Sequence, residues 1–240
     1  MTELSVVLHH KLPPGVADFV SSVPGLKLRH PADDAGVASA LQEGAEVLVS
    51  FTWWPDFLTS DLKWIAGCGA GIEQYPLERL KTQGVMLTTA AGVHAECVAK
   101  HAFALMLALT RRIAESVRNV TRGHWVALPE EELGGKRSAI VVLGGIGEGV
   151  ARRAQTWGLD MLGIKGNPAN YTFCLSDVRP PEALPEVCAW ADPRVVLSAH
   201  NAGDSPGFGP RWGKLFAHNV DVLRHGGAWR NAVTPGGVLT

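Results

Sequence analysis

The chain has little of what a cross-linked or metal-stapled scaffold needs. Its four cysteines, Cys68, Cys97, Cys174 and Cys188, are scattered through 240 residues. None forms a C-x-x-C pair or has a histidine pair beside it, so neither a disulfide framework nor a zinc site is expected, and no metal ligand is assigned. Charge of one sign is also missing. Lys and Arg number 22 against 23 Asp and Glu, a formal net charge of -1. That balance gives no electrostatic case for nucleic acid or an anionic membrane. Arg111-Arg112 and Arg152-Arg153 pair up, both on helical stretches where a solvated face suffices. No run reaches the roughly 18 apolar residues of a membrane span. The first residues carry Glu3 and no positive region ahead of an apolar run, so no secretory leader is expected. A reducing cytoplasm is the default location, and no repeat or low-complexity tract is visible. What is present is 46% hydrophobic residues, enough for a substantial core. The eight tryptophans are dispersed and read as core or interface anchors.

Short β-rich runs alternate with helical stretches. Strands are expected at Ser5 to Leu8, Leu26 to Leu28, Glu46 to Ser50, Leu62 to Ala66 and Val85 to Thr89. Helices are expected from Pro13 to Val20, from an Asp33-Asp34 cap to Leu41 with Gly44 as its stop, and from Pro76 to Lys81. From His94 to about Glu115 the apolar residues Val98, Ala102, Leu105, Leu109 and Ile113 recur every three or four positions, which predicts one long packing helix. Strands alternating with helices imply parallel pairing and a doubly wound α/β sheet.

The strongest local signal is a βαβ unit. Ser138 to Leu143 is an apolar strand, Gly144-Gly145-Ile146-Gly147 turns it into a helix from Glu148 to Trp157, and Met161 to Lys165 is the next strand. In a G-x-G-x-x-G fingerprint the glycines permit the tight turn, the approach of a pyrophosphate and close helix packing. Gly144 and Gly147 fit the second and third places, but Val142 stands at the first, where a β-branched residue resists the turn. The motif alone leaves nucleotide binding and a merely structural strand-turn-helix both open. Lys165 closes the second strand where an acidic residue would bind a ribose. A cation there suits a 2′-phosphate and favours NADP over NAD; a solvent-exposed strand end is the other reading.

Five segments in order carry a resemblance. Gly69 to Pro76, Gly92 to Ala99, Leu143 to Gly147, Asp177 to Pro185 and Ser198 to Gly203 are similar to successive segments of the D-isomer specific 2-hydroxyacid dehydrogenases. The resemblance implies two Rossmann-like parallel-sheet domains. Residues 1–99 plus 203–240 would form a discontinuous substrate domain, closed by a returning helix from Arg211 to Leu223. Residues 100–202 would form a shortened NAD(P)-binding domain. It further implies hydride transfer between NADP or NAD and a small 2-keto or 2-hydroxy acid. His200 would be the general acid/base, kept protonated by Glu182. The backbone of Ala70, Gly71 and Ile72 would receive the substrate carboxylate. Gly144, Gly145, Ile146, Gly147 and Lys165 would hold the cofactor, and a homodimer would form through the cofactor domain. Taken singly, His200 also reads as a structural histidine, Glu182 as a surface carboxylate and the Ala70 cluster as a turn.

The sequence also departs from that family. After the second cofactor-domain strand, Asn167 to Tyr171 leads almost at once to Phe173 to Asp177. About half a nucleotide-binding domain is missing on a two-half architecture, and with it the family's N-x-x-R-G segment, whose arginine binds the substrate carboxylate. Lys100 stands where the family usually has Glu, and Gly166 where NADP-preferring relatives often have arginine. Such a chain is expected to turn over weakly or not at all, which leaves a non-catalytic nucleotide-sensing or interaction protein as the alternative.

Overall fold

The computed structural model describes residues 3–141, 143–172, 174–183 and 205–233. The chain divides into two compact units, Met1–Val93 with Ser205–Thr240, and His94–Asp204.

The first unit is built on a parallel sheet. Strands β1 (Leu4–Leu8), β2 (Leu26–Arg29), β3 (Val47–Ser50), β4 (Trp64–Gly67) and β5 (Met86–Thr88) lie in the order β2-β1-β3-β4-β5. Every residue of β3 and β4 is buried. Their continuous apolar runs, rather than alternating ones, follow from burial on both faces of a parallel sheet. Helices α1 (Val16–Ser21), α2 (Asp34–Gln42) and α3 (Leu77–Thr82) come from the same half of the chain. As expected, Asp33 caps α2, accepting a 2.8 Å hydrogen bond from the Gly36 N–H, and Gly44 follows with a left-handed φ of 90°. Val37 and Leu41 of α2 and Leu80 of α3 pack with Leu48 and Ile65 on one face of the sheet.

The opposite face is closed by the chain's return. The helix expected at Arg211 to Leu223 runs somewhat longer, as Phe208–His225. It packs on α1, and a Cβ at Gly209 would meet the Gly15 backbone at 2.9 Å, so only glycine permits this approach. Trp64, Phe216 and Trp212 stack in series at 5.0 and 5.2 Å. Each indole has a polar outlet: Trp64 donates to Thr88 Oγ1 at 2.9 Å, Trp212 to the Gly67 carbonyl at 3.1 Å. A fully buried aromatic of this size contributes about 1.5–3 kcal/mol through apolar burial. Beyond the helix, Ala232 bridges antiparallel to Thr88 and covers the β5 edge.

The second unit contains β6 (Arg137–Val141), β7 (Asp160–Ile164) and β8 (Asp177–Arg179), parallel and in that order. Between β6 and β7 runs a helix over Gly145–Thr156, starting three residues earlier than expected because the glycine turn itself takes helical form. Among the described residues, the link from β7 to β8 carries only a 3-10 turn at Pro168–Asn170. Parallel strands usually need a helical crossover. The short link is the structural counterpart of the abrupt sequence at 167–177.

The long helix expected from His94 to Glu115 is interrupted. It becomes α4 (Ala95–Thr110) and α5 (Ile113–Thr121), separated by Arg112 at φ 47°. A left-handed residue without glycine ends a helix, and periodicity alone cannot register one residue of opposite hand. The buried face is also displaced from the expected one. Ala99 and Phe103 are buried, whereas Val98, Ala102 and Leu105 are half-buried and Leu109 and Ile113 are exposed. Among the described residues, helices Gly145–Thr156 and Phe208–His225 are α6 and α7.

Candidate functional site

The sequence-derived residues fall into two groups, one in each unit. In the second unit, Gly144 caps α6 in extended backbone (φ -102°, ψ -163°), and its carbonyl accepts from the Glu148 N–H at 2.8 Å. Among the described residues the N–H groups of Gly145, Ile146 and Gly147 meet no acceptor. A Cβ at Gly144 would meet nothing within 4 Å, so the turn is open to an approaching group. Ile146 is exposed and Gly147 buried, with α6 seated on the sheet behind the turn. Free amides and the positive end of a twelve-residue helix suit a phosphate. The residues present therefore fit the pyrophosphate end of a dinucleotide.

The packing glycine lies two residues further on. A Cβ at Gly149 would stand 3.3 Å from the Ala95 carbonyl oxygen and 3.4 Å from Ala99 Cβ, so this position sets how closely α4 and α6 approach. Beside that seam Glu96 receives Lys100 at 2.8 Å and also pairs with Arg153. The Lys100 hydrogen bond, followed by that of Arg153, holds the exposed Glu96 carboxyl down to about 2. The lysine that departs from the family pattern is thus matched by a carboxylate on its own helix. Sequence reasoning missed the pairing, although the i,i+4 spacing of Glu96 and Lys100 signals it.

Lys165 takes neither orientation expected of it. Its side chain turns inward, donates to the Leu143 carbonyl at 2.9 Å, and sits 5.9 Å from the Tyr171 ring centroid. It ties the end of β7 to the start of the glycine turn. The ammonium would have to leave that carbonyl to meet a 2′-phosphate.

In the first unit, Ala70, Gly71 and Ile72 form the loop leaving the C-terminal end of β4. Ala70 and Gly71 are exposed, and among the described residues the three N–H groups have no acceptor. That arrangement can receive a carboxylate. The Glu73 carboxylate now lies over the loop, 2.6 Å from where a Gly71 Cβ would be. An incoming anion has to displace it. Phe51 lies against the other side of the loop, 3.5 Å from a Cβ at Gly69. Burial pushes the neighbouring Cys68 thiol strongly upward, which keeps it protonated and unreactive.

Glu182 lies in a 3-10 turn, Pro181–Ala183, and is exposed. His200, Val142 and Cys188 lie outside the described residues, so the pairing of His200 with Glu182 remains an expectation.

A family profile for the D-isomer specific 2-hydroxyacid dehydrogenase catalytic domain matches residues 19–133, and the profile for that family's NAD binding domain matches residues 103–202. The chain belongs to the D-isomer specific 2-hydroxyacid dehydrogenase family. Among curated relatives of this family, the hydroxypyruvate reductase of Thermotoga maritima is 35% identical over 104 residues, covering 42% of this chain and 34% of the relative. A glyoxylate/hydroxypyruvate reductase of Arabidopsis thaliana is 36% identical over 92 residues, covering 37% of this chain and 28% of its own. The matched part of the chain therefore spans about a third of these relatives' length. The fold is shared more widely. A family member from Aeromonas salmonicida superposes with a TM-score of 0.76 at 13% identity, covering 97% of this chain and 100% of that one. The NADPH-dependent glyoxylate/hydroxypyruvate reductase of Sinorhizobium meliloti gives 0.75 at 16% identity, with 98% of each chain covered.

Proposed function

We propose that this chain is a D-2-hydroxyacid dehydrogenase scaffold that binds a nicotinamide dinucleotide, NADP or NAD, and whose turnover of small 2-keto acids is weak or absent. One observation carries the reading. The β6-turn-α6-β7 unit, within the match to the NAD binding domain, presents open amides at a helix N-terminus, yet β8 follows β7 through a short link with no α-helix among its described residues. The first feature supports binding. The second supports loss of the segment that would complete a nicotinamide pocket and supply the carboxylate-binding arginine.

The assigned division is residues 1–99 plus 203–240 for substrate and 100–202 for cofactor. Bound NAD(P)H would supply the hydride to the substrate's C2 carbon. Ala70, Gly71 and Ile72 would hold the carboxylate through their N–H groups. His200 would give the carbonyl oxygen its proton, oriented by Glu182. Losing the arginine removes the bidentate clamp that brings the reactants to attack geometry, and misplacement there is costly. Binding without turnover is then the expected behaviour of a nucleotide sensor on the same scaffold, the alternative reading.

We further assign a homodimer through α5, whose Ile113, Val117 and Val120 are exposed near Trp125 at 94% exposure. Apolar residues gathered in this way mark an association surface. No helix among the described residues is long and apolar enough to cross a membrane, and a cytoplasmic location is assigned with this reading.

Calorimetry with NADPH and NADH, paired with NADPH oxidation on glyoxylate, pyruvate and hydroxypyruvate, tests the proposal. Saturable binding with turnover well below about 1 s⁻¹ is expected. Turnover at or above that rate, ordinary for enzymes, overturns the impairment; no binding of either nucleotide overturns the cofactor assignment.

A further inference from the structure

At the C-terminal edge of the first sheet, three side chains converge that the dehydrogenase chemistry does not use. The strand order puts the end of β1 between the loops that follow β2 and β3. His9 and His10 leave β1 with their rings stacked at 4.3 Å. Asp34, in the first turn of α2, points its Oδ1 at both: 2.8 Å from His9 Nε2 and 3.7 Å from His10 Nδ1. The three ligand atoms lie within 4.8 Å of one another.

We propose that His9, His10 and Asp34 bind a divalent transition metal ion, Zn²⁺ foremost. Two imidazoles and a carboxylate are a donor set suited to zinc, at about 2.0–2.2 Å per ligand, which places tetrahedral donor atoms about 3.3 Å apart. The observed separations bracket that value, so an ion is accommodated by small side-chain rotations. Hard cations such as Mg²⁺ require an oxygen-rich site and are not expected here.

An orphaned atom points to the same place. His10 Nδ1 is buried and has no hydrogen-bond partner, since Asp34 at 3.7 Å is beyond reach. A buried polar atom left unsatisfied is costly and calls for an explanation. A metal ion at this place is such a partner. Access is provided on the same side: Asp34 is 41% exposed, and a cavity of about 390 Å³ is lined by His9, His10, His30 and the Pro13-Pro14 turn. The remaining coordination positions are left to water.

One contact opposes binding and has to be weighed. His9 Nδ1 accepts a 3.1 Å hydrogen bond from the Lys11 N–H, so in the neutral ring the proton sits on Nε2, which faces Asp34 and also Thr52 Oγ1 at 3.1 Å. Ligation through Nε2 moves that proton to Nδ1 and frees the Lys11 amide. Lys11 is exposed, so water replaces the lost partner. The loss is the Lys11 hydrogen bond and the Thr52 contact, which is small beside two new metal–imidazole bonds and a metal–carboxylate bond.

The test uses the full chain, stripped with chelator and titrated with Zn²⁺ by calorimetry, with Mg²⁺ as control. One equivalent of Zn²⁺ should bind with micromolar or tighter affinity, raise Tm as its concentration rises, and leave Mg²⁺ silent. Substituting Co²⁺ should give a visible spectrum of nitrogen and oxygen ligation without a thiolate band. His10→Ala should weaken binding about tenfold or more. Asp34→Asn retains an acceptor for His9, and therefore the fold, and should weaken it similarly. Zn²⁺ binding that is undetectable in the stripped chain or unchanged in both variants, or a thiolate band in the Co²⁺ spectrum, overturns the site.

Discussion

The two parallel sheets of this molecule are finished to different degrees. The first has five strands with helices on both faces, and its large aromatics Trp64, Trp212 and Phe216 are fully buried. The second has three strands among the described residues, and Val141 of its β6 is 45% exposed. Parallel strands are stable when both faces are covered. The difference teaches where the family's architecture is intact: the first unit keeps a complete core, and the second keeps the nucleotide turn with less around it.

That contrast can be broken most severely at Trp212. Trp212→Ala removes a buried indole, its stack on Phe216 and its bond to the Gly67 carbonyl. Denaturant unfolding should register a loss of about 3–5 kcal/mol. Hydrogen exchange should rise across β4, α1 and α7 and stay unchanged over β6 and β7; spread of the effect to both units would join what the contrast separates. Next in size, Gly149→Val should overpack the α4–α6 seam and cost about 1–3 kcal/mol. The same exchange measurement should then show the converse pattern, confined to the second unit. The smallest effect on folding is expected from Val117→Ser, within about 0.5 kcal/mol because the side chain is already 57% exposed. Sedimentation should nonetheless shift toward monomer; an unaltered sedimentation profile would remove α5 from the proposed dimer contact.

Much of the first unit was legible in the sequence because its signals are local. The apolar runs of β1, β3 and β4, the Asp33 cap and the Gly44 stop each act within a few residues. The β6-turn-α6-β7 unit was legible for the same reason. The break at Arg112 was not, because the amphipathic pattern runs on across a single left-handed residue. The candidate site was readable as far as its backbone: the turns at 70–72 and 144–147 stand where the glycines indicated. Side-chain direction was not. Lys165 found a carbonyl 22 residues back, a choice no strand-end pattern encodes. The convergence of His9 and His10 with Asp34 was equally hidden. An adjacent histidine pair after an apolar strand is a weak sign until the strand order places a carboxylate opposite it.

The return of α7 to α1 has a consequence for synthesis. The residues that seal one face of the first sheet leave the ribosome only after the whole of His94–Asp204 has been made. Until then Val6, Val16 and Trp64 await Trp212 and Phe216 with nothing from α7 over them. The second unit, whose contacts are contiguous in the chain, can settle first, while the nascent amino-terminal part stays exposed to chaperones and proteases. The unit begun first is thus the one completed last.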